Sequence, residues 1–128
     1  YGAISDYTKA IEINPNYAMA YNNRGSAKDK LKDYYGAISD YTKAIEINPN
    51  YANAYYNRGN TNLDLKDYYA AISDYTKAIE INPNFANAYN NRGVTKEKKG
   101  DLNGACADWR KASSLGNDLA TKSLRNQC

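Results

Sequence analysis

The sequence predicts an all-α solenoid, a stack of antiparallel helix pairs with about eight helices and no strands. Residues 1–17 recur letter for letter as residues 35–51 and, with two changes, as residues 69–85. The offset is 34 residues each time, a period typical of stacked supersecondary units. Apolar residues within each copy recur at helical spacing, and an Asn-Pro pair ends each apolar stretch. Units of this size depend on their neighbours, because none can bury its apolar face alone.

Each 34-residue unit is predicted to form two helices, called here the first-type and the second-type helix, joined by short turns. In the unit 18–51, Asp33 precedes the second-type helix, where its carboxylate is placed to accept hydrogen bonds from the first turn. Pro49 ends that helix because proline cannot extend the backbone hydrogen-bond ladder. Between them lies an apolar stripe of mostly i, i+3, i+4, i+7 spacing, which consists of Ala37, Ile38, Tyr41, Ala44, Ile45 and Ile47.

The same reasoning places helices along the whole chain. A lone second-type helix is expected at 2–13, followed by helix pairs at 18–31 with 34–47, 52–65 with 68–81, and 86–99 with 102–114. A last short helix is expected at 118–126. The single domain then divides into a half repeat (1–17), two repeats (18–51 and 52–85), a diverged repeat (86–117) and a C-terminal capping helix (118–128).

Small residues recur at equivalent positions of the repeats, which predicts close packing between neighbouring helices. The columns of small residues are Gly25, Gly59 and Gly93; Ala3, Ala37, Ala71 and Ala105; and Ala10, Ala44, Ala78 and Ala112. The aromatic residues expected beside them are Tyr7, Tyr41, Tyr75 and Trp109. A glycine inside a helix costs roughly 0.5–1 kcal/mol relative to alanine, so three in register indicate a steric demand.

The order glycine, alanine, aromatic residue, alanine and then proline within a 34-residue period resembles the tetratricopeptide repeat family over essentially the whole chain. The resemblance implies a right-handed superhelix whose first-type helices line a concave groove that receives a peptide or a partner's helix. The closing segment 100–116 is also similar to the last unit of bacterial, cyanobacterial-type members of the family. The chain departs from the family where an arginine replaces the usual leucine before each glycine.

The resemblance also implies which side chains face the groove. Many are asparagines, whose amide both donates and accepts hydrogen bonds and so suits the main chain of an extended peptide. Tyr56 and Met19 are the expected anchors, since aromatic residues and Met are enriched where binding energy concentrates. The predicted groove residues are Met19, Asn22, Ser26, Asn53, Tyr56, Asn57, Asn60, Leu63, Asn87, Asn90 and Val94, and the charged positions of the same face are Asp29, Lys30, Asp64, Glu97 and Lys98.

One ligand class of the family is not expected here. Some members hold the C-terminal carboxylate of a partner with Lys, Asn and Arg side chains from three successive first-type helices. The matching positions of this chain carry no cation and are Asn22, Ser26, Asn57, Asn87 and Asn91. Because a carboxylate needs charge-assisted donors, we do not expect this chain to bind one in that way.

Two ladders carry charge through the repeats. They are Arg24, Arg58 and Arg92, and Asp6, Asp40, Asp74 and Asp108, each with a spacing of 34 residues. Separate solvated charges are one interpretation, in which each pair contributes about 0–1 kcal/mol. We favour ion pairs between first-type and second-type helices, because the arginines occupy a column that is apolar in the family. Their role would be structural and not catalytic.

The two cysteines are Cys106, on the last paired helix, and Cys128, at the end of the capping helix. Antiparallel packing is expected to bring these positions near each other. We expect a cytoplasmic protein, in which a reducing environment would keep the two residues as thiols; a disulfide between them is the alternative, and the sequence leaves this open. Two cysteines without other ligands do not form a zinc site, so no metal is expected.

Composition argues against several classes of function. The chain has no His, which removes the commonest general base and metal ligand, and its carboxylates recur in every repeat instead of forming a unique pair. We therefore expect no enzymatic activity and no cofactor. A net charge of +3 without a block of like charges is too dispersed for nucleic-acid binding. No apolar run reaches membrane-spanning length, so no membrane partner is expected.

The helix at 2–13 is predicted to lack a first-type helix on its apolar face. Ala3, Tyr7 and Ala10 are then uncovered on one side, a feature typical of interaction sites or aggregation liabilities. Two interpretations stay open: a first-type helix lies upstream in a longer protein, or the face is buried against another molecule. We expect self-association through this helix.

The predicted function is a non-enzymatic protein–protein interaction scaffold that binds a peptide or a partner's helix in the concave groove. A structural or self-assembly spacer without a peptide ligand is the first alternative. An RNA-binding solenoid is the second alternative, and the scattered charge disfavours it.

Overall fold

Eight α-helices make up the regular structure of residues 2–128, the part of the chain that the computed structural model describes. They are α1 (Gly2–Ile13), α2 (Ala18–Lys30), α3 (Tyr34–Ile47), α4 (Ala52–Asp64), α5 (Tyr68–Ile81), α6 (Ala86–Lys98), α7 (Leu102–Ser114) and α8 (Asp118–Gln127). No strand occurs within these residues. The prediction of an all-helical solenoid is confirmed.

Each helix packs mainly against its neighbours along the chain. The pairs α2–α3, α4–α5 and α6–α7 form the repeats, while α1 packs on α2 and α8 packs on α7. The first-type helices α2, α4 and α6 also touch one another in order. These helices end one residue earlier than predicted, at Lys30, Asp64 and Lys98, and α8 extends one residue further, to Gln127.

The turn inside each repeat contains an aspartate that caps the next helix and, before it, a residue in the left-handed backbone conformation. Asp33 caps α3 as predicted, accepting a hydrogen bond from the Gly36 N–H at 3.1 Å, and the equivalent aspartates cap α5 and α7. The residue before the cap has a positive φ, which is 94° at Gly100 and 64° at Lys32. Glycine adopts this conformation freely, whereas a residue with a side chain costs about 1–2 kcal/mol there.

The glycine column lets the two helices of a repeat touch. A Cβ atom built on Gly25 would lie 2.8 Å from Cε1 of Tyr41, and one on Gly59 would lie 2.8 Å from Cε1 of Tyr75. The third repeat has the same contact with a tryptophan ring in place of tyrosine. A larger residue in this column would push the two helices apart. The steric demand predicted from the column is therefore confirmed.

Helix α8 covers the C-terminal end of the stack. Its Ala120 is fully buried in a core formed with Ala105, Trp109 and Ala112 of α7. The residues expected to face water from this helix are exposed: Lys122, Arg125, Asn126 and Gln127. Helix α8 therefore packs on α7 with its apolar face and exposes a polar face.

Cys106 and Cys128 form a disulfide that ties the end of α8 to α7, with the two Cα atoms 6.1 Å apart. The expectation that these residues lie near each other is confirmed, and of the two states that the sequence left open, thiols and a disulfide, the structure has the disulfide. Pairing depends on the distance between the two positions in the fold. The sequence argument instead rested on an assumed reducing compartment.

Candidate functional site

The candidate site is the face formed by the first-type helices α2, α4 and α6, which touch one another in sequence. Met19, Asn53 and Asn87 lie at equivalent positions near the start of these helices, and all three are exposed. Met19 is 53% exposed. Asn87 also accepts a hydrogen bond from the Asn117 side chain at 2.9 Å. This column of side chains is available to a ligand.

The next two columns pair from helix to helix. Asn57 Nδ2 donates to Asn22 Oδ1 at 3.1 Å, which links α4 to α2. Asn91 Nδ2 donates to the Tyr56 hydroxyl at 3.0 Å and to Asn60 Oδ1 at 2.9 Å, which links α6 to α4. Asn22 is only 7% exposed. These amides hold the first-type helices together and form a polar floor beneath the exposed column.

Tyr56 is held by its neighbours. Its ring centre lies 4.7 Å from that of Phe85 and 5.9 Å from that of Tyr75. Tyr75 donates its hydroxyl proton to Asn60 Oδ1 at 2.5 Å. Burial raises the pKa of Tyr75 above its ordinary value, so this hydroxyl stays protonated and keeps its role as a donor. Tyr56 is therefore a preformed wall of the groove, with little rotamer freedom left to lose on binding.

Asn90 and Asn22 are the two least accessible of the predicted groove residues, and only 6% of the surface of Asn90 is exposed. Its Nδ2 donates to Asn91 Oδ1 at 3.3 Å, and its Oδ1 has no hydrogen-bond partner within residues 2–128. At the equivalent positions of the two preceding repeats, Asn22 and Tyr56 each accept a hydrogen bond from the following first-type helix. Asn90 offers little surface to a ligand.

The remaining predicted groove residues are half-buried and lie along the same helices: Ser26, Asn57, Asn60, Leu63 and Val94. Val94 packs against the core between α7 and α8. The structure thus separates the predicted set into an exposed column, a paired floor and half-buried walls. Which of these residues contact a ligand stays a prediction.

Two aspartates give the middle of this face an acidic character. Asp29 on α2 accepts a hydrogen bond from Thr61 Oγ1 on α4 at 3.0 Å. Burial, and then the negative charge of Asp29, raises the pKa of Asp64. Burial and the charge of Asp29 both disfavour the ionised form of Asp64, and the same charge disfavours an acidic ligand beside these two residues. Lys30 and Lys98 are exposed at the ends of their helices.

The arginine ladder lies between the helices, and the predicted ion pairs are confirmed. Arg58 pairs with Asp74 through Nε at 3.0 Å and Nη2 at 2.8 Å, and its Nη1 donates to Thr42 Oγ1 of the preceding repeat at 3.1 Å. The other two arginines have the same partners in their repeats. The threonine link was missed, although a threonine and an aspartate 16 residues on either side of each arginine were visible in the sequence.

Each guanidinium also lies over the ring of the tyrosine three residues earlier, as Arg58 does over Tyr55 at 5.5 Å. The carboxylate of each aspartate also binds one further side chain. Asn62 donates a hydrogen bond to Asp74 at 3.0 Å, and in the first and third repeats the equivalent lysine forms an ion pair with the aspartate. Bidentate pairing together with stacking suits arginine and not lysine. All of these groups bind one another, so the charged columns stabilise the stack.

A cleft of about 390 Å³ lies between α1 and α2 and shares Ser26 and Lys30 with the predicted groove face. Its walls are Ala3, Ile4 and Tyr7 of α1 and Asn23, Ser26, Ala27, Lys30 and Leu31 of α2. As expected, Ala3 is exposed, and Tyr7 and Ala10 are half-buried.

Paired helices that stack through a glycine column and present a continuous face of first-type helices define a helical-repeat interaction scaffold. The chain belongs to the tetratricopeptide repeat family. A model of this family matches residues 18–51 and 52–85, and a second model with the same description matches residues 74–107. The family is a non-enzymatic interaction fold.

Several solved structures share this fold. The first TPR of Spaghetti (RPAP3) bound to the HSP90 peptide SRMEEVD has a TM-score of 0.81 at 29% identity, covering 84% of this chain and 87% of that one. The Arabidopsis OM64 TPR domain has a TM-score of 0.81 at 31% identity, with coverages of 86% and 93%. A crystal structure of MamA protein has a TM-score of 0.82 at 30% identity, with coverages of 98% and 66%.

Among curated proteins, none matches this chain in sequence. Between residues 2 and 128, every helix is too short or too polar to cross a membrane. In the same part of the chain, no group of three or more His, Cys, Asp or Glu side chains is placed to hold a metal ion.

Proposed function

We propose that this protein is an interaction scaffold that binds a peptide or a partner's helix along the face of α2, α4 and α6. The observation that carries the proposal is the arrangement of that face. Met19, Asn53 and Asn87 are exposed above a floor that is fixed by its own hydrogen bonds, such as the one between Asn57 and Asn22. A floor that is already ordered loses little entropy on binding, which favours affinity.

The charges of this face favour a polar or basic segment over an acidic C-terminus. Asp29 and Asp64 already disfavour further negative charge in the middle of the face. The Spaghetti domain is bound to an HSP90 peptide that contains two consecutive glutamates. We do not extend that ligand to this chain, because the matching clamp positions carry only Asn and Ser, and a carboxylate needs charge-assisted donors.

Peptide selection followed by mapping tests the proposal. Random peptides displayed against the intact chain should enrich polar or basic sequences, and an NMR titration with a selected peptide should shift the amide signals of α2, α4 and α6. Met19→Ala and Tyr56→Ala should each weaken binding by about 1 kcal/mol or more, as at an interface hot spot. Circular dichroism checks that both variants keep their helical content.

Tyr35→Ala is the matched control. Tyr35 lies at the start of the second-type helix α3 and is 77% exposed, so its removal takes an aromatic ring from a different face. We expect unchanged affinity for this variant. An equal loss for Tyr35→Ala and Met19→Ala would place the site elsewhere. Selection that enriches no peptide would favour a spacer without a ligand.

The segment 100–116 predicts a bacterial, cyanobacterial-type source, and self-association through residues 2–13 is expected at high concentration. The disulfide between Cys106 and Cys128 disfavours a cytoplasmic location, because disulfides persist mainly in oxidising compartments. We propose an oxidising compartment instead. Salt-dependent RNA binding would support the RNA-binding alternative.

A further inference from the structure

Helix α8 packs on α7 in the same way that α4 packs on α3 and α6 packs on α5. Ala120 of α8 is fully buried, as are its equivalents Ala54 of α4 and Ala88 of α6. Leu124 of α8 packs against the core that contains Ala120. The seam between α7 and α8, meaning the contact between these two helices, can therefore be compared directly with the α3–α4 and α5–α6 seams.

The first connection that the α7–α8 seam lacks is a hydrogen bond from arginine to threonine. Arg58 of α4 donates to Thr42 of α3 at 3.1 Å, and the α5–α6 seam has the same hydrogen bond. At the equivalent positions α8 has Leu124 and α7 has Arg110. A leucine side chain cannot donate a hydrogen bond, so this link between neighbouring helices is lost.

The second missing connection is a hydrogen bond between successive helices of the groove. Asn91 of α6 donates to the Tyr56 hydroxyl of α4 at 3.0 Å, and α4 donates to α2 from the equivalent position. In α8 this donor position holds Ser123, whose side chain is shorter. The corresponding acceptor, Oδ1 of Asn90, is buried and has no hydrogen-bond partner within residues 2–128. An unpaired buried acceptor disfavours the docked position of α8.

The α7–α8 seam has a disulfide instead, between Cys106 of α7 and Cys128 at the end of α8. Within residues 2–128, the side chains of α8 make one hydrogen bond to α7, which joins Thr121 and Ser113. The remaining contact is the packing of a small apolar core. The disulfide therefore does the work of the two connections that the other seams have and this one lacks.

The position of α8 affects the α6 end of the groove. Asn117, which caps α8, donates to Oδ1 of Asn87 at 2.9 Å, and Asn87 belongs to the exposed column of the groove. Val94 of α6, a predicted groove residue, packs against the core that α8 completes. We propose that the disulfide between Cys106 and Cys128 is a redox switch that keeps α8 docked and so keeps the α6 end of the groove in order.

A dithiol reductant is the co-reactant that opens this switch. Cys128 is exposed and Cys106 is only 6% exposed, so a thiolate of the reductant attacks Sγ of Cys128 and Cys106 leaves as a thiolate. The second thiol of the reductant then attacks the mixed disulfide, which releases Cys128 and oxidises the reductant to a disulfide. The two protons from the reductant's thiols end on the two cysteines. With the disulfide open, α8 keeps only its weaker contacts and leaves α7.

Trp109 reports on α8 without any ligand, because it is the only tryptophan of the chain and packs in one core with Ala120. Reduction of the intact chain with dithiothreitol should shift the Trp109 emission to the red and make the ring accessible to acrylamide. The NMR signals of Asn87 and Val94 should shift over the same range of reductant, and reoxidation should reverse both changes. Circular dichroism should retain most of the helical signal.

Two outcomes would overturn the switch. One is a buried Trp109 in a chain whose two thiols are shown to be free by alkylation and mass spectrometry. The other is loss of the whole helical signal on reduction, because the disulfide would then hold the entire fold and not α8 alone.

Ser123→Asn and Ser123→Ala form a matched pair of variants. Asparagine restores the donor that Asn91 provides in the preceding helix, so that Oδ1 of Asn90 gains a partner. The reduced Ser123→Asn chain should therefore keep Trp109 buried to a higher temperature than the reduced unsubstituted chain, whereas Ser123→Ala should bring no gain. Equal behaviour of the two variants would overturn the missing amide link as a reason why α8 depends on the disulfide.

The consequence for binding rests on the proposed function. A peptide selected against the oxidised chain should bind the reduced chain at least about fivefold more weakly, because the α6 end of the groove has to be ordered again on binding. Unchanged affinity together with an exposed Trp109 would overturn the control of the groove by the disulfide. If no peptide binds in either state, the proposed function fails, while the fluorescence of Trp109 still decides whether α8 is released.

Discussion

Helices α1 and α3 have identical sequences over residues 2–13 and 36–47, yet they differ in burial along one face. Helix α1 has no buried residue, whereas Ala37, Asp40, Tyr41 and Ala44 of α3 are all buried. Local sequence cannot explain this difference, because it is the same in both helices. The difference arises from neighbours: α3 lies between α2 and α4, and within residues 2–128 α1 packs on α2 alone.

The comparison indicates how stability is distributed in this molecule. In a solenoid, the total is roughly the sum of the stability of each repeat and the terms from neighbouring interfaces. Identical substitutions in α1 and α3 remove the same atoms from the same local sequence. Any difference between their effects then measures the contribution of the covering helix.

The largest expected difference is at the tyrosine of these helices. Tyr41→Ala should destabilise the protein by about 3–5 kcal/mol, because it leaves a cavity beside Gly25. Tyr7→Ala should cost about 1 kcal/mol or less, since its ring is already half-exposed and little apolar area is lost. Urea unfolding followed by circular dichroism measures both. Equal losses would mean that the open face of α1 is covered in solution.

The disulfide extends the comparison to the two ends of the solenoid. Helix α1 is held to α2 by packing and by the hydrogen bond from Arg24 to Thr8, whereas α8 is tied to α7 by a disulfide between residues 22 positions apart. Closing a loop of this length should contribute about 3 kcal/mol, and reduction should remove it. Thermal unfolding with and without a reducing agent tests this, with the Cys106→Ser/Cys128→Ser double variant as the control.

Hydrogen exchange locates the effect of reduction. Amides of α8 should exchange faster after reduction, while those of α1 should not change. A uniform increase over all eight helices would instead mean that the solenoid unfolds as one cooperative unit.

The smallest expected difference is at the aspartate ladder. Asp40→Ala should destabilise by about 2–3 kcal/mol, because it leaves the largely buried guanidinium of Arg24 without its bidentate partner. Asp6→Ala should leave the stability unchanged, since Asp6 is exposed and unpaired in the described residues. Chemical unfolding at low and high salt checks both variants. A measurable loss for Asp6→Ala would reveal a partner on the open face of α1.

Much of the fold could be predicted because its rules are local. The period, the aspartate caps and the Asn-Pro ends predicted all eight helices. Where a predicted helix end differs from the structure, it differs by one residue. The contact of Gly25 with Tyr41 and the pair of Arg24 with Asp40 were predictable as well. Each repeats in register three times, so one physical demand appears as a column in the sequence.

The candidate groove was predictable only as a face. The family pattern indicates which helices line it, but it does not distinguish exposed Met19 from buried Asn22. That distinction depends on how closely α2 and α4 approach, since the donor to Asn22 is Asn57, 35 residues away. A pairing between amides leaves no periodic or charge signal in a sequence that is rich in asparagine.

The sequence by itself determined the repeat, the helices and the contacts within each pair, because these rest on interactions that recur with the period. The tertiary structure alone decided the pairing of Cys106 with Cys128 and the hydrogen bonds between the asparagines of neighbouring first-type helices. These features depend on how closely side chains of neighbouring helices approach, which spacing along the chain does not specify. Four residues of this shared sequence, Ala37, Asp40, Tyr41 and Ala44, are buried in α3, whereas none of their counterparts in α1 is buried.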